Sequence, residues 1–337
     1  MGWQLEHSQG LDALLSKWRL ITVDRMNALD VERALRSAGI APTEVTRIDE
    51  VSDGWECRVF RVVRPGVDDV ALRLYTGDPS GGTLRAEVAA YLALTEVDYP
   101  APRLSAVHTA IEPLGAPFIL IDWLDGPVAD SLGTTADAIE LITDLFVRLH
   151  NITPNAALMR QHEVPIRTNA DVLAARSAYL AASDLEGFHP ALDWLTRRLR
   201  DLEPIPHSYV HMDFHPKNII LTQAGPMVFD WGSFALADPR ADLAWTLLLA
   251  STYMGPEVAG GILSAYKRTR PEGLGDLEFF EVSAVWRRFA TIMSILENHP
   301  PSDLRDEILE GVRLLEPAYR RLVEATGHPI PEVEHLF

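Results

Sequence analysis

Eight residues, His211-Met212-Asp213-Phe214-His215-Pro216-Lys217-Asn218, followed twelve residues after Asn218 by Asp230-Trp231-Gly232, constrain this chain more than any other feature. Ser208-Tyr209-Val210 leads into the histidine, Ile219-Ile220-Leu221 follows the asparagine, and Met227-Val228-Phe229 precedes Asp230. Short apolar strands therefore flank loops that carry the polar groups, with Gln223-Ala224-Gly225-Pro226 as a turn. Carboxylates at strand ends are presented by a rigid scaffold, as catalytic loops usually are. The spacing suits phosphoryl transfer: Asp213 takes the proton of an attacking hydroxyl, while Asn218 and Asp230 hold Mg²⁺ against nucleotide phosphates. Transfer builds charge on non-bridging oxygens, so such a site needs hard oxygen ligands for the metal and a separate carboxylate near the acceptor.

Together with Asp238-Pro239-Arg240-Ala241-Asp242-Leu243, these residues resemble the aminoglycoside phosphotransferase family of small-molecule kinases, across about residues 43 to 300. The Trp after the metal-binding Asp and the D-P-x-x-D-L run are closer to that family than to the D-F-G of protein kinases. The resemblance implies an α+β, protein-kinase-like two-lobe fold: a small antiparallel-sheet N-lobe with one main helix, and a larger, mostly helical C-lobe. It divides the chain into an N-terminal helical extension (1–42), a nucleotide-binding N-lobe (43–123) and a C-lobe (124–337).

Such a reading demands nucleotide-binding elements upstream, and they occur in order. Val45 to Val51 and Trp55 to Val63 are β-prone runs joined by Ser52-Asp53-Gly54, a turn whose backbone N–H groups can face phosphates although it lacks a G-x-G-x-x-G loop. Val70-Ala71-Leu72-Arg73 aligns with the V-A-I-K strand of kinases, Arg replacing Lys. Alternation sends Val70, Leu72 and Leu74 into the core and leaves Ala71 for adenine and Arg73 for phosphates. Leu84, Val88, Tyr91 and Leu92 have helical spacing, and the resemblance pairs Glu87 on that helix with Arg73. Strands over Arg103 to Thr109 and Pro117 to Trp123 follow, and the hinge is expected at Asp122, Trp123 and Leu124 before Gly126-Pro127.

From there apolar residues recur at three-to-four spacing over Thr135–Asn151, Ala170–Ala182, Ala191–Leu202, Asp238–Tyr253, Glu257–Thr269, Leu277–Asn298 and Ser302–Thr326, all read as helices. Asp238 before Pro239 is a helix N-cap, and Asp242 is expected to brace the catalytic loop through His211 or backbone amides. His211 is read as a supporting residue. The acceptor is placed between about Asn151–Leu202 and the last helices, where Trp286, Arg287, Arg288 and Glu297 are the candidate contacts. Trp245 reads as a buried helix face that needs no ligand.

Rival readings follow from the same residues. His211, Asp213 and His215 alternate and on a strand would face one way, the start of a zinc hydrolase site, but Pro216 and the lack of a later His-rich motif oppose it. A nucleotide-binding pseudokinase draws on Arg73 and the Gly-poor turn. A protein kinase is disfavoured because D-P-x-x-D-L follows D-W-G too closely for an activation loop.

At 337 residues and 47% hydrophobic content the chain can bury a large core. Its longest apolar stretch, near Leu243 to Ala250, is too short to span a bilayer. One cysteine, Cys57, and no charged-then-apolar leader point to a cytoplasmic protein. A formal net charge of −18 disfavours nucleic acid and permits a cationic acceptor. ATP or GTP with Mg²⁺ is the expected donor. The N-terminal helices, Leu11–Leu20 and Ala28–Ala38, are expected to pack on the small lobe or at a homodimer contact.

Overall fold

A computed structural model describes residues 28–39, 45–53, 57–78, 80–132, 135–270, 274–298, 300 and 302–337. In chain order these form α1 (Ala28–Ser37), β1 (Arg47–Asp53), β2 (Arg58–Val63), β3 (Val70–Leu74), α2 (Gly82–Glu96), β4 (Leu104–His108) and β5 (Phe118–Asp122). Then follow α3 (Thr135–His150), α4 (Ala156–Gln161), α5 (Asn169–Ala181), α6 (His189–Arg198), β6 (Ser208–Val210), β7 (Ile219–Thr222), β8 (Gly225–Val228) and β9 (Ala235–Ala237). The remainder is helical: α7 (Pro239–Tyr253), α8 (Pro256–Thr269), α9 (Leu277–Glu297), α10 (Ser302–Leu314), α11 (Glu316–Thr326) and α12 (Pro331–Glu334).

Contacts divide the chain into two compact units. The first comprises the described residues of Met1–Ser131, Pro154–Pro165 and Lys217–Ala235; the second comprises those of Leu132–Thr153, Ile166–Pro216 and Leu236–Phe337. The hairpin that carries Asp230 thus groups with the N-terminal unit, and the chain changes unit between Pro216 and Lys217.

In the first unit five strands form an antiparallel sheet in the order β1-β2-β3-β5-β4. Alternation along β3 works as expected. Val70, Leu72 and Leu74 join Phe60, Val62, Phe118 and Leu120 in one buried cluster, and Val31, Ala34 and Leu35 of α1 belong to it. The other face sends Arg73 toward Glu87 of α2. The expected N-terminal strands shift slightly, β1 ending at Asp53 after a bulge between Glu50 and Ser52. The helix expected at Leu11–Leu20 lies outside the described residues.

In the second unit α7 is buried nearly all round, from Pro239 to Ala250, as a helix enclosed by neighbours must be. Its residues Ala244, Trp245, Leu248 and Leu249 share a core with Phe279, Phe280, Val285, Trp286 and Phe289 of α9 and with α5, α6, α11 and α12. Two expected helices differ. Ala191–Leu202 becomes α6 from His189, closing in a 3₁₀ turn over Leu199–Asp201. Ser302–Thr326 is two helices that part at Leu315, because Pro317 is accommodated in the first turn of α11 but not in a helix interior.

Pro127 and Val128 tie the end of the β5 segment to β7: Leu221 N–H donates to the Pro127 carbonyl at 2.9 Å and Val128 bridges Ile220. Gly126, at φ 156°, makes this approach feasible, since a Cβ there would lie 2.2 Å from the Leu221 carbonyl oxygen. Gly126→Ala should therefore destabilise the protein by about 1–3 kcal/mol, the usual cost of overpacking, read as a lower urea midpoint. A wild-type midpoint would mean that the segment and β7 separate without cost.

Candidate active site

In the first unit the site is built on a buried cation. Arg73 is 6% exposed and Glu87 fully buried. Arg73 Nε lies 2.9 Å from Glu87 Oε1 as an ion pair, its N–H off line for a hydrogen bond. Arg73 Nη2 donates to Asp230 Oδ1 at 2.8 Å. Tyr91 donates to Glu87 Oε1 at 2.9 Å and Tyr75 donates to Oε2. Burial works against the Arg73 charge, but Glu87, Cys57, Asp230 and Tyr75 outweigh it and hold the guanidinium charged, well above its ordinary pKa. Burial lifts Glu87 above the usual carboxylate range, with Asp230 reinforcing it and Arg73 opposing. Burial and then Glu87 push both tyrosines well up, so they remain donors.

The β7–β8 hairpin pairs Ile219 with Val228, and beyond that pair Phe229 N–H donates to the Asn218 carbonyl at 3.0 Å. Asn218 and Asp230 therefore stand at one end of a single hairpin. Asp230 adopts φ 65°, and Trp231 behind it is fully buried, its indole N–H on the Val228 carbonyl at 3.0 Å and its ring edge-on to Tyr99. Asp230 offers a hard carboxylate oxygen, with Oδ1 already on Arg73, and Asn218 an amide oxygen. That donor chemistry fits Mg²⁺.

The remaining nucleotide candidates also belong to this unit. Ala71 is buried on the Arg73 face of β3. Asp122 N–H donates to the Arg103 carbonyl at 3.1 Å and its carboxylate accepts the Arg103 amide at 3.0 Å. Trp123 N–H donates to Asp69 and its indole to Asp125, with Arg61 stacked 4.8 Å over the ring. Leu124 is half-buried. Ser52 and Asp53 end β1, while their side chains and all of Gly54 lie outside the described residues.

In the second unit the site is built around a buried anion. Asp242, fully buried, accepts the amides of His211 and Met212, both at 2.7 Å, and faces His150 Nε2 at 3.2 Å. The loop is thus braced through backbone amides, and these fix Met212 at φ 63°. The Tyr266 hydroxyl sits 2.8 Å from His150 Nδ1, so the partners select the tautomer with the proton on Nε2. Burial lowers the His150 pKa, Asp242 resisting. His211, also fully buried, accepts the Asp213 amide on Nδ1 at 3.2 Å.

Asp213 Oδ1 accepts the Trp245 indole N–H at 3.2 Å and its Oδ2 lies 3.4 Å from His215 Nε2. Burial alone would raise its pKa, but the hydrogen bond and charge of His215 and the Trp245 N–H hold it well below the carboxylate range. Arg287 lies 3.9 Å over the Trp245 ring and donates to the Met212 carbonyl at 3.4 Å. Trp245, expected as core, therefore also orients Asp213. Nothing local marked it, because Trp245 and Asp213 are 32 residues apart.

The other acceptor candidates fare differently. Trp286 is a core residue, 2% exposed, its indole N–H on the Phe188 carbonyl, so its helical position turns it inward and away from an acceptor. Arg288 donates to the Tyr253 hydroxyl at 3.3 Å. Glu297 lies at the end of α9, its pKa raised by partial burial and by Asp184 and Glu332. Asp238 caps α7 through the Arg240 amide and is gripped by the buried Arg240 side chain, a partner not anticipated. The zinc alternative fails on geometry. Residues 211–215 form no strand, His211 Nδ1 is taken by an amide, and among the described residues no group of three or more His, Cys, Asp or Glu could hold a metal. No helix among them is long and apolar enough to cross a membrane.

Comparisons with known proteins agree. A model of the phosphotransferase enzyme family matches residues 47–280. No protein of curated function matches the chain in sequence. Among solved structures, a Ralstonia eutropha protein assigned to the aminoglycoside phosphotransferases is 17% identical with a TM-score of 0.64, over 90% of this chain and 99% of its own. A thermostable mutant of aminoglycoside phosphotransferase APH(4)-Ia is 15% identical, TM-score 0.59, over 90% and 97%. Spectinomycin phosphotransferase, solved with ADP and spectinomycin, is 12% identical, TM-score 0.56, over 88% and 99%. These likenesses establish a shared fold, as the sequence motifs led one to expect.

Two outcomes test the anion at Asp242. Asp242→Ala leaves two buried amides without an acceptor, at about 1–3 kcal/mol each, and should lower the urea midpoint accordingly. His150, with its folded pKa depressed, adds stability that is present above its unfolded pKa, about 6.5, and is lost as pH falls through the folded value. The melting temperature should fall on acidification from about pH 7.5 to 5.5, and less so in His150→Gln, which keeps an N–H donor without titrating.

Proposed function

Because the chain belongs to the phosphotransferase enzyme family, we propose that it transfers the γ-phosphoryl group of ATP or GTP to a hydroxyl of a small molecule, with Asp213 as the base. The observation that carries the reading is the linked ion pair Glu87–Arg73–Asp230. It sets one carboxylate, Asp230, beside a fixed cation at the hairpin end that also bears Asn218. Asp213 has different company, histidines and an indole N–H, as a proton acceptor separate from the metal requires.

Asn218 and Asp230 would hold Mg²⁺, which when bound neutralises charge on the phosphates. Arg73, fixed by Glu87, presents guanidinium N–H groups to phosphate oxygens. The β5 end at Asp122–Leu124 would receive the nucleobase, with Ala71 beneath it. As the acceptor oxygen bonds to phosphorus, the bond to the nucleoside diphosphate breaks and the hydroxyl proton passes to Asp213. His211 and Asp242 hold that carboxylate's loop in place. The neighbours solved with ADP or AMP-PNP and an antibiotic acceptor support a nucleotide donor and a small-molecule acceptor, and the cytoplasm supplies such nucleotides.

The test is ADP or GDP release across a panel of aminoglycosides, macrolides, choline, homoserine, sugars and nucleosides. Asp213→Asn should lower kcat by about 10²–10⁴-fold, the range of general base catalysis, while leaving nucleotide affinity near wild type. Asp230→Asn should instead weaken MgATP binding. Equal loss of nucleotide affinity in both variants would overturn the division of roles, and nucleotide binding without turnover on any acceptor would favour a pseudokinase.

A further inference from the structure

Three guanidinium groups of the second unit lack carboxylate partners among the described residues. Arg176, on α5, lies 4.9 Å over the Trp286 ring, and its Nη1 is buried with no hydrogen-bond acceptor. Arg287, on α9, lies over Trp245 and otherwise donates only to the Met212 carbonyl, at 3.4 Å. Arg288 reaches a neutral hydroxyl, that of Tyr253, and its Nε is buried with no acceptor. Each is thus matched to an aromatic ring, a carbonyl or a hydroxyl.

Their charges also act on one another. Burial pulls the Arg287 pKa down; Asp213 and Asp242 oppose this, and Arg167 and Arg288 add to it. Burial likewise lowers Arg176, with Arg287 adding to the effect. The chain has 48 acidic residues against 30 basic ones, so carboxylates are in ample supply. Leaving several half-buried guanidinium groups without one is unfavourable unless a ligand provides the anion. The arrangement suits that role. An arginine stacked on an aromatic ring keeps the N–H donors of its planar edge, whose fork matches the oxygens of carboxylate or phosphate.

The position adds the chemistry. Arg287 covers the same indole that donates to Asp213 Oδ1 at 3.2 Å, so an anion held there lies close to the base. We propose that the acceptor carries a phosphate or carboxylate group, bound by Arg176, Arg287 and Arg288, next to the hydroxyl that Asp213 deprotonates. This rests on the phosphotransferase reading and specifies its substrate class. The overall charge of −18 permits a cationic acceptor, but an ammonium group would meet like charge here.

The experiment is calorimetric titration of glucose 6-phosphate, gluconate, glucose and glucosamine into the full chain saturated with Mg²⁺ and a non-hydrolysable ATP analogue. The occupied nucleotide site then cannot take up the sugar phosphate. One of the two anionic sugars should bind at least about tenfold more tightly than glucose, and glucosamine most weakly; which anion wins distinguishes phosphate from carboxylate. Arg176→Gln should remove the preference with the melting temperature unchanged, Arg287→Met should remove it with a lower melting temperature because Arg287 also holds the Met212 carbonyl, and Arg176→Lys should retain most of it. Equal binding of glucose and the anionic sugars, no binding of either anion, or a preference for glucosamine would overturn the proposal. Nucleotide affinity, measured before any sugar is added, separates the failures. Retained nucleotide binding without anion preference sinks the arginine assignment alone, whereas absent nucleotide binding sinks the phosphotransferase reading and this proposal with it.

Discussion

Arg73 is the charge on which the first unit depends. It stands on β3, between β2 and β5 in the sheet, where an unpaired cation would cost several kcal/mol. The unit meets that demand with two carboxylates from elements far apart in sequence, Glu87 on α2 and Asp230, 157 residues away, beyond the β7–β8 hairpin. Sheet, helix and hairpin are thereby held to one another by a charge that must be satisfied. Arginine suits this role better than lysine would. Its Nε faces Glu87 while Nη2 reaches Asp230, two directions at once from a planar fork, where an ammonium is a single point charge.

The second unit solves the mirror-image problem with an anion. Asp242 is fully buried, and its compensation comes from the amides of His211 and Met212 and from His150. Both candidate loops contain a residue that is not glycine in the left-handed region, Met212 at φ 63° and Asp230 at φ 65°. Such backbone costs on the order of 1–3 kcal/mol and persists only where the surroundings over-determine it. Met212 is held at both ends, its N–H on Asp242 and its carbonyl on Arg287. Asp230 is held by its carboxylate on Arg73 and by the buried indole that follows it. The strained positions are the ones that aim Asp213 and Asp230.

What the sequence made legible is what local pattern encodes. The alternation of Val70 to Leu74, the short apolar strands at Ser208–Val210 and Ile219–Thr222 and the Asp238-Pro239 start of α7 all reach only a few residues, and each appears in the fold. What it concealed depends on contacts between distant side chains. His150 meets Asp242 across 92 positions, Trp245 meets Asp213 across 32, and Arg240 reaches the carbonyls of Glu203 and Gly275. None leaves a periodicity. Trp286 shows the converse: read as an acceptor contact on the last helices, it is 2% exposed and joins the core, while its neighbour Arg287 covers Trp245.

Charge has to be read locally for the same reason. The acidic excess belongs to the whole chain, whereas the field at Asp213 comes from His215, an indole N–H and Arg287. These groups keep the carboxylate ionised and also make it a weak base. A carboxylate held well below its ordinary pKa has little driving force to remove a proton from an alcohol at the outset. In a loose phosphoryl-transfer transition state it need not, because the hydroxyl becomes acidic only as its oxygen bonds to phosphorus. On the proposed function, Asp213 would contribute first as an oriented hydrogen-bond acceptor that aligns the hydroxyl, and would take the proton late. On that proposal the elements that brace its loop, Asp242 above all, would serve through position, since alignment is most of what such a base has to offer.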